Sequence, residues 1–232
     1  MRSKYFQIAS FLLLTTAVIL SSCGGSSGGG GGAPAASLAM KGTSGNAVDM
    51  NGAWTSECFY SATDHENERD VLTMNGGSAT VNLSIWSSPT TNLACTQAGT
   101  PDVSAVINVT ATLSSDPTQT ATWVNSSGAA STPPAGVSAS AKATKVTLVF
   151  NAATVSFNSD TYVSQANSGT GFCGRTNWVK GVPQNALTCT DVVSSLTETD
   201  YWVVDDSAAQ LKWYSGSSGV AWQVENFEPM TK

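Results

Sequence analysis

The sequence predicts an all-β fold: an antiparallel barrel of about nine to ten strands, with a β-sandwich as the alternative. Three observations support this class. The apolar segments are short and alternate with turn residues, and we find no amphipathic helical pattern of three turns or more. Only 11% of the residues are charged, and Ser, Thr, Ala, Gly and Asn are abundant. This composition is typical of exported β proteins rather than helical bundles.

The first half of the domain gives the clearest strand patterns. Residues 51–60 form the first predicted strand, and residues 70–74 and 78–86 flank Asn75-Gly76-Gly77. Asn-Gly between apolar runs predicts a hairpin with a type I′ turn, since both central residues of that turn need positive φ. Residues 103–113 alternate apolar and polar side chains along their whole length, which predicts a half-buried strand.

The second half is less regular. Residues 119–125 are expected to pair with the strand 103–113, and residues 126–140 read as a long exposed loop. The remaining predicted strands comprise residues 145–150 and 154–157 across a short turn, a hairpin of 201–204 with 211–214, and a last strand within 219–227.

The N-terminus has the layout of an export signal. Arg2 and Lys4 form a basic start, and residues 5–20 are mostly apolar and uncharged. This apolar stretch is shorter than the roughly 20 residues that span a bilayer as a helix. We therefore treat residues 1–22 as a signal peptide that does not belong to the folded domain.

Leu20-Ser21-Ser22-Cys23 resembles the lipobox of bacterial lipoproteins. The resemblance implies cleavage before Cys23, acylation of its thiol and anchoring in a membrane, whereas the alternative is an ordinary secretory signal. Residues 23–47 are rich in Gly and Ser and predict a flexible tether, followed by a globular domain over residues 48–232. By the same resemblance, Gly24 favours the outer membrane of a Gram-negative bacterium over the inner membrane.

Charge and cysteine content restrict the function further. Residues 23–232 contain eight basic and sixteen acidic residues, a net charge of −8, so we expect no nucleic-acid partner. Four cysteines follow Cys23, and an even number in an exported domain predicts disulfides. Proximity favours Cys58–Cys95 and Cys173–Cys189 among the three pairings. A zinc site is the alternative, but the CxxC spacing is missing.

Gly52 and Trp54 resemble the Gly-x-Trp signature in the first strand of lipocalin-like barrels, where the Trp closes one barrel end. The Glu57-Cys58 pair, the stretch 86–95 and the late Trp-rich hairpin are also similar to uncharacterised lipocalin-like bacterial lipoproteins. The resemblance spans about residues 50–215 and implies a ligand-binding barrel.

The most charged segment is Asp64-His65-Glu66-Asn67-Glu68-Arg69-Asp70. Its carboxylates suit Ca²⁺, but the spacing is not that of an EF-hand, so the favoured interpretation is a solvated loop between two strands. With a single histidine and no Gly-x-Ser-x-Gly motif, we predict no catalytic residues, metal or cofactor, and no enzyme.

Seven tryptophans are the other unusual feature. Trp54, Trp202 and Trp213 are the candidates for lining a pocket that binds a small apolar or glycan ligand, although tryptophans also build β-protein cores. The sequence therefore predicts a lipid-anchored binding module. The alternative is a structural or adhesive surface lipoprotein that contacts a protein or the cell wall.

The lipid anchor is directly testable. Metabolic labelling with palmitate is expected to mark the protein, and Cys23→Ala is expected to abolish the label because it removes the acylated thiol. Cys58→Ala serves as the control, since that cysteine is predicted to form a disulfide. Labelling that persists in Cys23→Ala would contradict the lipobox interpretation.

Overall fold

The computed structural model describes residues 38–61, 65–87, 95, 100–113, 119–124, 132, 139–193, 195–206, 209–215, 221–223 and 230–232. The signal peptide, Cys23, the tether up to residue 37 and most of the loop 126–140 lie outside these ranges. The strands are β1 (Ala39–Lys41), β2 (Ala47–Asp49), β3 (Gly52–Ser56), β4 (Phe59–Ser61), β5 (Glu66–Asn75), β6 (Ser78–Ser87), β7 (Val103–Leu113), β8 (Gln119–Val124), β9 (Ser140–Phe157), β10 (Gln184–Asn185), β11 (Thr197–Asp205), β12 (Gln210–Ser215), β13 (Ala221–Gln223) and β14 (Met230–Thr231), and the helix is α1 (Asp160–Ala166). None of the helical segments described is long and apolar enough to cross a membrane.

Eight antiparallel strands form a closed barrel, which confirms the predicted fold class over the sandwich. Their order around the ring is β3-β5-β6-β7-β9-β11-β12-β14, and β14 pairs with β3 to close it. Each strand of the ring is therefore paired with the ring strand that follows it in the sequence, as in an up-and-down barrel, while β4, β8, β10 and β13 do not belong to the ring. The ring has fewer strands than predicted, because the additional strands are short or lie outside it.

The longest strand, β9, corrects two sequence-based predictions. Residues 145–150 and 154–157 belong to one strand, and the expected turn between them is a β-bulge at Asn151. Phe150 and Ala153 are both buried although their positions differ by three, an odd number that would place them on opposite faces of a regular strand, so the bulge keeps the apolar side chains inside. Polar Asn and small Ala residues at 151–153 resemble a turn in sequence, which explains the wrong prediction.

The strand β8 does not pair with β7 as predicted. Both edges of β7 are occupied, by β6 and by β9, and β8 pairs instead with the first residues of β9. A third strand, β13, runs parallel to β8 outside the barrel. The predicted last strand within 219–227 therefore does not close the barrel, and Met230 and Thr231 do so.

The β5–β6 turn marks one end of the barrel, which we term the hairpin end. Asn75 pairs with Ser78, so the central turn residues are Gly76 and Gly77. Only Gly76 has positive φ, at 60°. A positive φ at the first central residue alone is the requirement of a type II′ turn. The predicted type I′ turn had Asn75 and Gly76 at its centre, whereas the observed turn is one residue further along the chain.

A small hairpin of β1 and β2 covers this end. Met40 of this hairpin is buried in the core at 3% exposure. The folded domain therefore begins before residue 48, the start that the sequence predicted. Thr43 N–H donates to Val204 O on β11 at 2.9 Å. The Asp206 carboxylate accepts hydrogen bonds from Ser44 and Thr43, which hold the pKa of that carboxyl well below its usual range. A charged hydrogen-bond acceptor thus ties this cover to β11.

The opposite end, at which β9 ends and α1 begins, is termed the helix end. Ser159 caps α1, and its hydroxyl accepts from Tyr162 N–H at 3.4 Å. The chain that follows packs on the barrel through Phe157, Phe172 and Trp178, whose ring centroids lie 4.9–5.6 Å apart. Together, residues 160–193 form a cover over the helix end.

Both predicted disulfides are confirmed. Cys173–Cys189 closes the helix-end cover on itself, and Cys58–Cys95 joins the segment after β3 to the segment after β6. The Cα atoms of the two bridges are 5.1 and 5.4 Å apart, respectively. Because all four cysteines are bonded in pairs, none is a free thiolate for the alternative zinc site.

Candidate functional site

Two of the three tryptophans proposed to line a pocket have described side chains, and both face the barrel interior. Trp54 and Trp202 are each 1% exposed and belong to the hydrophobic core. Trp54 Nε1 donates to Met50 O at 2.9 Å, so its indole also fixes the start of β3. Trp213 is the register partner of Trp202 across β11 and β12, but its side chain lies outside the described residues.

The wall formed by β5 carries acidic side chains into the interior. Leu72 and Met74 are buried core residues, and strand alternation places Glu66, Glu68 and Asp70 on the same face. Asp70 is 3% exposed. The prediction that this segment is a solvated loop is therefore wrong for residues 66–70, which belong to a barrel strand.

His65 and Asp64, the first residues of the charged segment, do not join this wall. His65 is exposed, and its Nδ1 lies 3.2 Å from the Tyr60 hydroxyl. Asp64 lies outside the described residues. Only the later part of the charged segment thus reaches the interior.

Burial changes the protonation of this acidic wall. Glu68 loses hydration inside the barrel and faces the negative charges of Asp70 and Glu66, and together these effects raise its pKa to about 8. Desolvation is the largest cause. Glu68 is therefore mostly protonated at neutral pH and becomes charged only when the pH rises or a cation approaches.

Strand β11 brings a second set of carboxylates inside. Trp202 and Val204 are core residues, and alternation places Glu198 and Asp200 on their face of the strand. Asp200 is 8% exposed. Burial, followed by the charge of Glu198, raises the pKa of Asp200 to about 7.

The two acidic walls face each other. In the ring of eight strands, β5 and β11 are four strands apart in either direction, so they lie on opposite sides of the interior. Both strands begin at the helix end, because neighbouring strands are antiparallel throughout the ring. The carboxylates of both walls therefore occupy the half of each strand nearer that end.

The described residues supply little positive charge to balance these carboxylates. None of the lysine, arginine or histidine side chains described is buried, whereas Asp70 and Asp200 are. Arg69 alternates with the acidic residues on β5 and so lies on the outer face of the wall. Tyr162 from the helix-end cover reaches Glu66, to which its hydroxyl donates a hydrogen bond.

The positions of the carboxylates do not form a preassembled metal site. Within the described ranges, the only group with three ligand atoms close enough to bind one ion is Cys173, Cys189 and Asp191. Its two sulfur atoms are joined in a disulfide, so they do not act as thiolate ligands. No three carboxylates of β5 and β11 thus lie close enough to one another to bind one ion together.

The sequence pattern could have revealed the acidic walls. Alternate residues of a strand lie on the same face, and the acidic residues of β5 alternate with its core residues: Glu66, Glu68 and Asp70 with Leu72 and Met74. The same holds on β11 for Glu198 and Asp200 with Trp202 and Val204. A cluster of charges is usually solvated, and this expectation outweighed the alternation. No protein-family model matches the chain, and no curated protein is similar to it in sequence.

The raised pKa values predict an unusual dependence of stability on pH. The native state retains protons on Glu68 and Asp200 that the unfolded chain has lost, so the free energy of unfolding should fall as the pH rises from about 4 to about 8. Glu68→Gln, which imitates the protonated form, is expected to raise the melting temperature at the upper end of this range and to flatten the decline. Thermal unfolding monitored by circular dichroism measures both effects.

Asp160→Asn is the matched control for this measurement. Asp160 is exposed at the start of α1 and pairs with Lys180 at 2.9 Å, so its substitution should leave the decline unchanged. A melting temperature of the unsubstituted protein that rises steadily from pH 4 to pH 8 would show that the interior carboxyls are charged and solvated.

Proposed function

We propose that this protein is a lipid-anchored extracytoplasmic binding protein that holds a small ligand with an apolar body inside its barrel. The observation that carries the proposal is the closed eight-stranded meander with the indoles of Trp54 and Trp202 on its inner face. A barrel of this size is just wide enough to be filled by side chains or to hold one small ligand. The resemblance of Gly52 and Trp54 to the lipocalin signature supports the same use.

The compartment is part of the proposal. The two disulfides fit an oxidising location outside the cytoplasm. The lipobox-like sequence ending at Cys23 and the Gly-rich tether support attachment to the outer membrane of a Gram-negative bacterium. The binding domain would then move freely near the membrane, and it would act as a carrier or receptor without catalysing a reaction.

The alternative function, surface contact with a protein or the cell wall, has weaker support. The exposed large apolar side chains that are described belong to several different elements: Val106, Val149, Val179, Val182 and Leu196. Single exposed apolar residues are common on soluble domains and do not define a contact surface. The interior therefore remains the better candidate for a binding site.

Titration with small ligands tests the proposal. A panel of apolar, amphiphilic and glycan ligands should include at least one that changes the tryptophan emission in a saturable way, because Trp54 and Trp202 face the interior. Trp202→Phe is expected to weaken that binding while it preserves an aromatic core side chain. Trp86→Phe is the control, since Trp86 alternates with the buried residues Leu83 and Ile85 and lies on the outer face of β6.

If Trp86→Phe weakened ligand binding as much as Trp202→Phe does, the ligand would lie on the outer wall of the barrel. Emission that stays constant across the whole panel would contradict a binding function and favour the surface-contact alternative.

A further inference from the structure

The two ends of the barrel are closed by covers that are built differently. The helix-end cover, residues 160–193, follows β9 and leads back to β11, so the chain holds it on both sides. Its strand β10 pairs with β9, a disulfide crosslinks it internally, and it packs on the barrel through the rings of Phe157, Phe172 and Trp178. Opening this cover would break backbone pairing and aromatic packing together.

The hairpin-end cover, residues 38–49, is attached more loosely. Among the strands that the structure describes, β1 and β2 pair only with each other. Residues 50 and 51 connect β2 to β3, and this short connection is the covalent link between the cover and the barrel. The cover can therefore move away as a unit without unpairing a strand of the ring.

The Asp206 carboxylate binds the turn of this cover, residues 42–46. Asp206 directly follows β11, and its Oδ1 accepts hydrogen bonds from Thr43 Oγ1 at 3.0 Å and from the Ser44 backbone N–H at 2.9 Å. Its second oxygen accepts from the Ser44 hydroxyl. A Cβ atom on Gly42 would lie only 2.5 Å from the Asp206 Cγ, so the turn approaches the carboxylate too closely for a side chain there. We term Asp206 and this turn the latch.

The latch is exposed, whereas the side chain beneath the cover is buried. The hydrogen bonds from Thr43 and Ser44 to Asp206 are open to solvent, and water competes for them, so breaking them costs much less than unfolding the barrel. Met40 is 3% exposed and belongs to the same core as Met50 and Met74, which lie at this end. Methionine side chains adapt their packing readily. The cover thus plugs the interior with an adaptable side chain and is held by bonds that open easily.

We propose that residues 38–49 form a gate with Asp206 as its latch, and that the barrel ligand enters and leaves at the hairpin end when the latch opens. This inference rests on the proposed binding function and adds the route to the site. A closed ring offers no gap between its strands, so a ligand must pass one of the two ends. Of these, the hairpin end has the cover that opens without loss of barrel pairing.

Hydrogen exchange measured by NMR tests whether the cover opens on its own. The Thr43 amide donates to Val204 O, so it reports separation of the cover from β11. It should exchange faster than the amides in the centre of β7, which require global unfolding. Asp206→Ala should accelerate Thr43 exchange at least about tenfold, because the charged acceptor of the latch is lost. Protection in β7 should stay unchanged, which also shows that the variant is folded.

Stopped-flow fluorescence with N-phenyl-1-naphthylamine, a neutral apolar probe, tests the route. Asp206→Ala should raise the association and dissociation rate constants by the same factor and leave Kd unchanged, because the latch holds the cover and does not contact the bound ligand. Gly42→Ala should act in the same direction, since its methyl group pushes the turn away from Asp206. Asp160→Ala is the matched control: it removes an exposed carboxylate that pairs with Lys180 in the other cover, so both rate constants should stay unchanged.

The possible outcomes distinguish the gate from the binding function. If the probe bound to Asp206→Ala with unchanged rate constants while Thr43 exchange accelerated, the ligand would enter elsewhere and the gate would be overturned, with the binding function left standing. Thr43 exchange as slow as that of β7 would show that the cover never opens by itself, which also overturns the gate. A change in Kd without faster association would make Asp206 a ligand contact instead of a latch. The absence of saturable binding by this probe and by the wider ligand panel would overturn both proposals.

Discussion

Closure of the sheet through β9 is the constraint on which the rest of the structure depends. This strand pairs with β7 along one edge and with β11 along the other, and β14 joins the remaining two edges with only two residues. A closed ring has no free strand edges, and it divides the side chains of every strand into an inner and an outer set. The bulge at Asn151 lets β9 satisfy both neighbours without turning its apolar side chains outward.

Closure of the ring is the reason why the carboxylates of β5 and β11 are enclosed. On an open sheet, alternate acidic residues would face solvent or a replaceable layer, whereas here Asp70 and Asp200 are buried inside the ring. The cover at the helix end strengthens this effect, because Tyr162 donates a hydrogen bond to Glu66 and Trp178 packs against Phe157 at that end. Water is then a poorer partner for the carboxylates, and this loss of hydration raises the pKa of Glu68 and of Asp200.

Local patterns predicted the parts of the fold that depend on neighbouring residues alone. The alternation over residues 103–113 gave the bounds of β7, and proximity along the chain gave both disulfides. Predictions that required knowledge of strand partners were less successful. The pairing of β8 failed because β9 competes for the edge of β7, and the turn near residue 151 is a bulge because the partner strand continues past it.

The candidate site was only partly predictable for a related reason. Trp54 and Trp202 were identified by residue type, and both face the interior. The acidic residues of β5 were noticed as a charged segment, and their alternation with Leu72 and Met74 was available in the sequence, but only closure of the ring shows that this face is enclosed. Asp200 was missed although it alternates with Trp202 in the same way, because the tryptophans and not the acidic residues of this strand were taken as candidates.

Carboxyl groups of β5 and β11 lie inside a closed barrel on opposite walls. Titration of the side-chain carboxyl carbons by ¹³C NMR tests this placement most directly, because each group reports its own environment. The structure predicts that the pKa of Glu68 is raised to about 8 and that of Asp200 to about 7, while exposed carboxyl groups titrate near their ordinary values. Ordinary pKa values near 4 for both Glu68 and Asp200 would contradict their burial in the barrel, because these carboxyl groups would then be in contact with water.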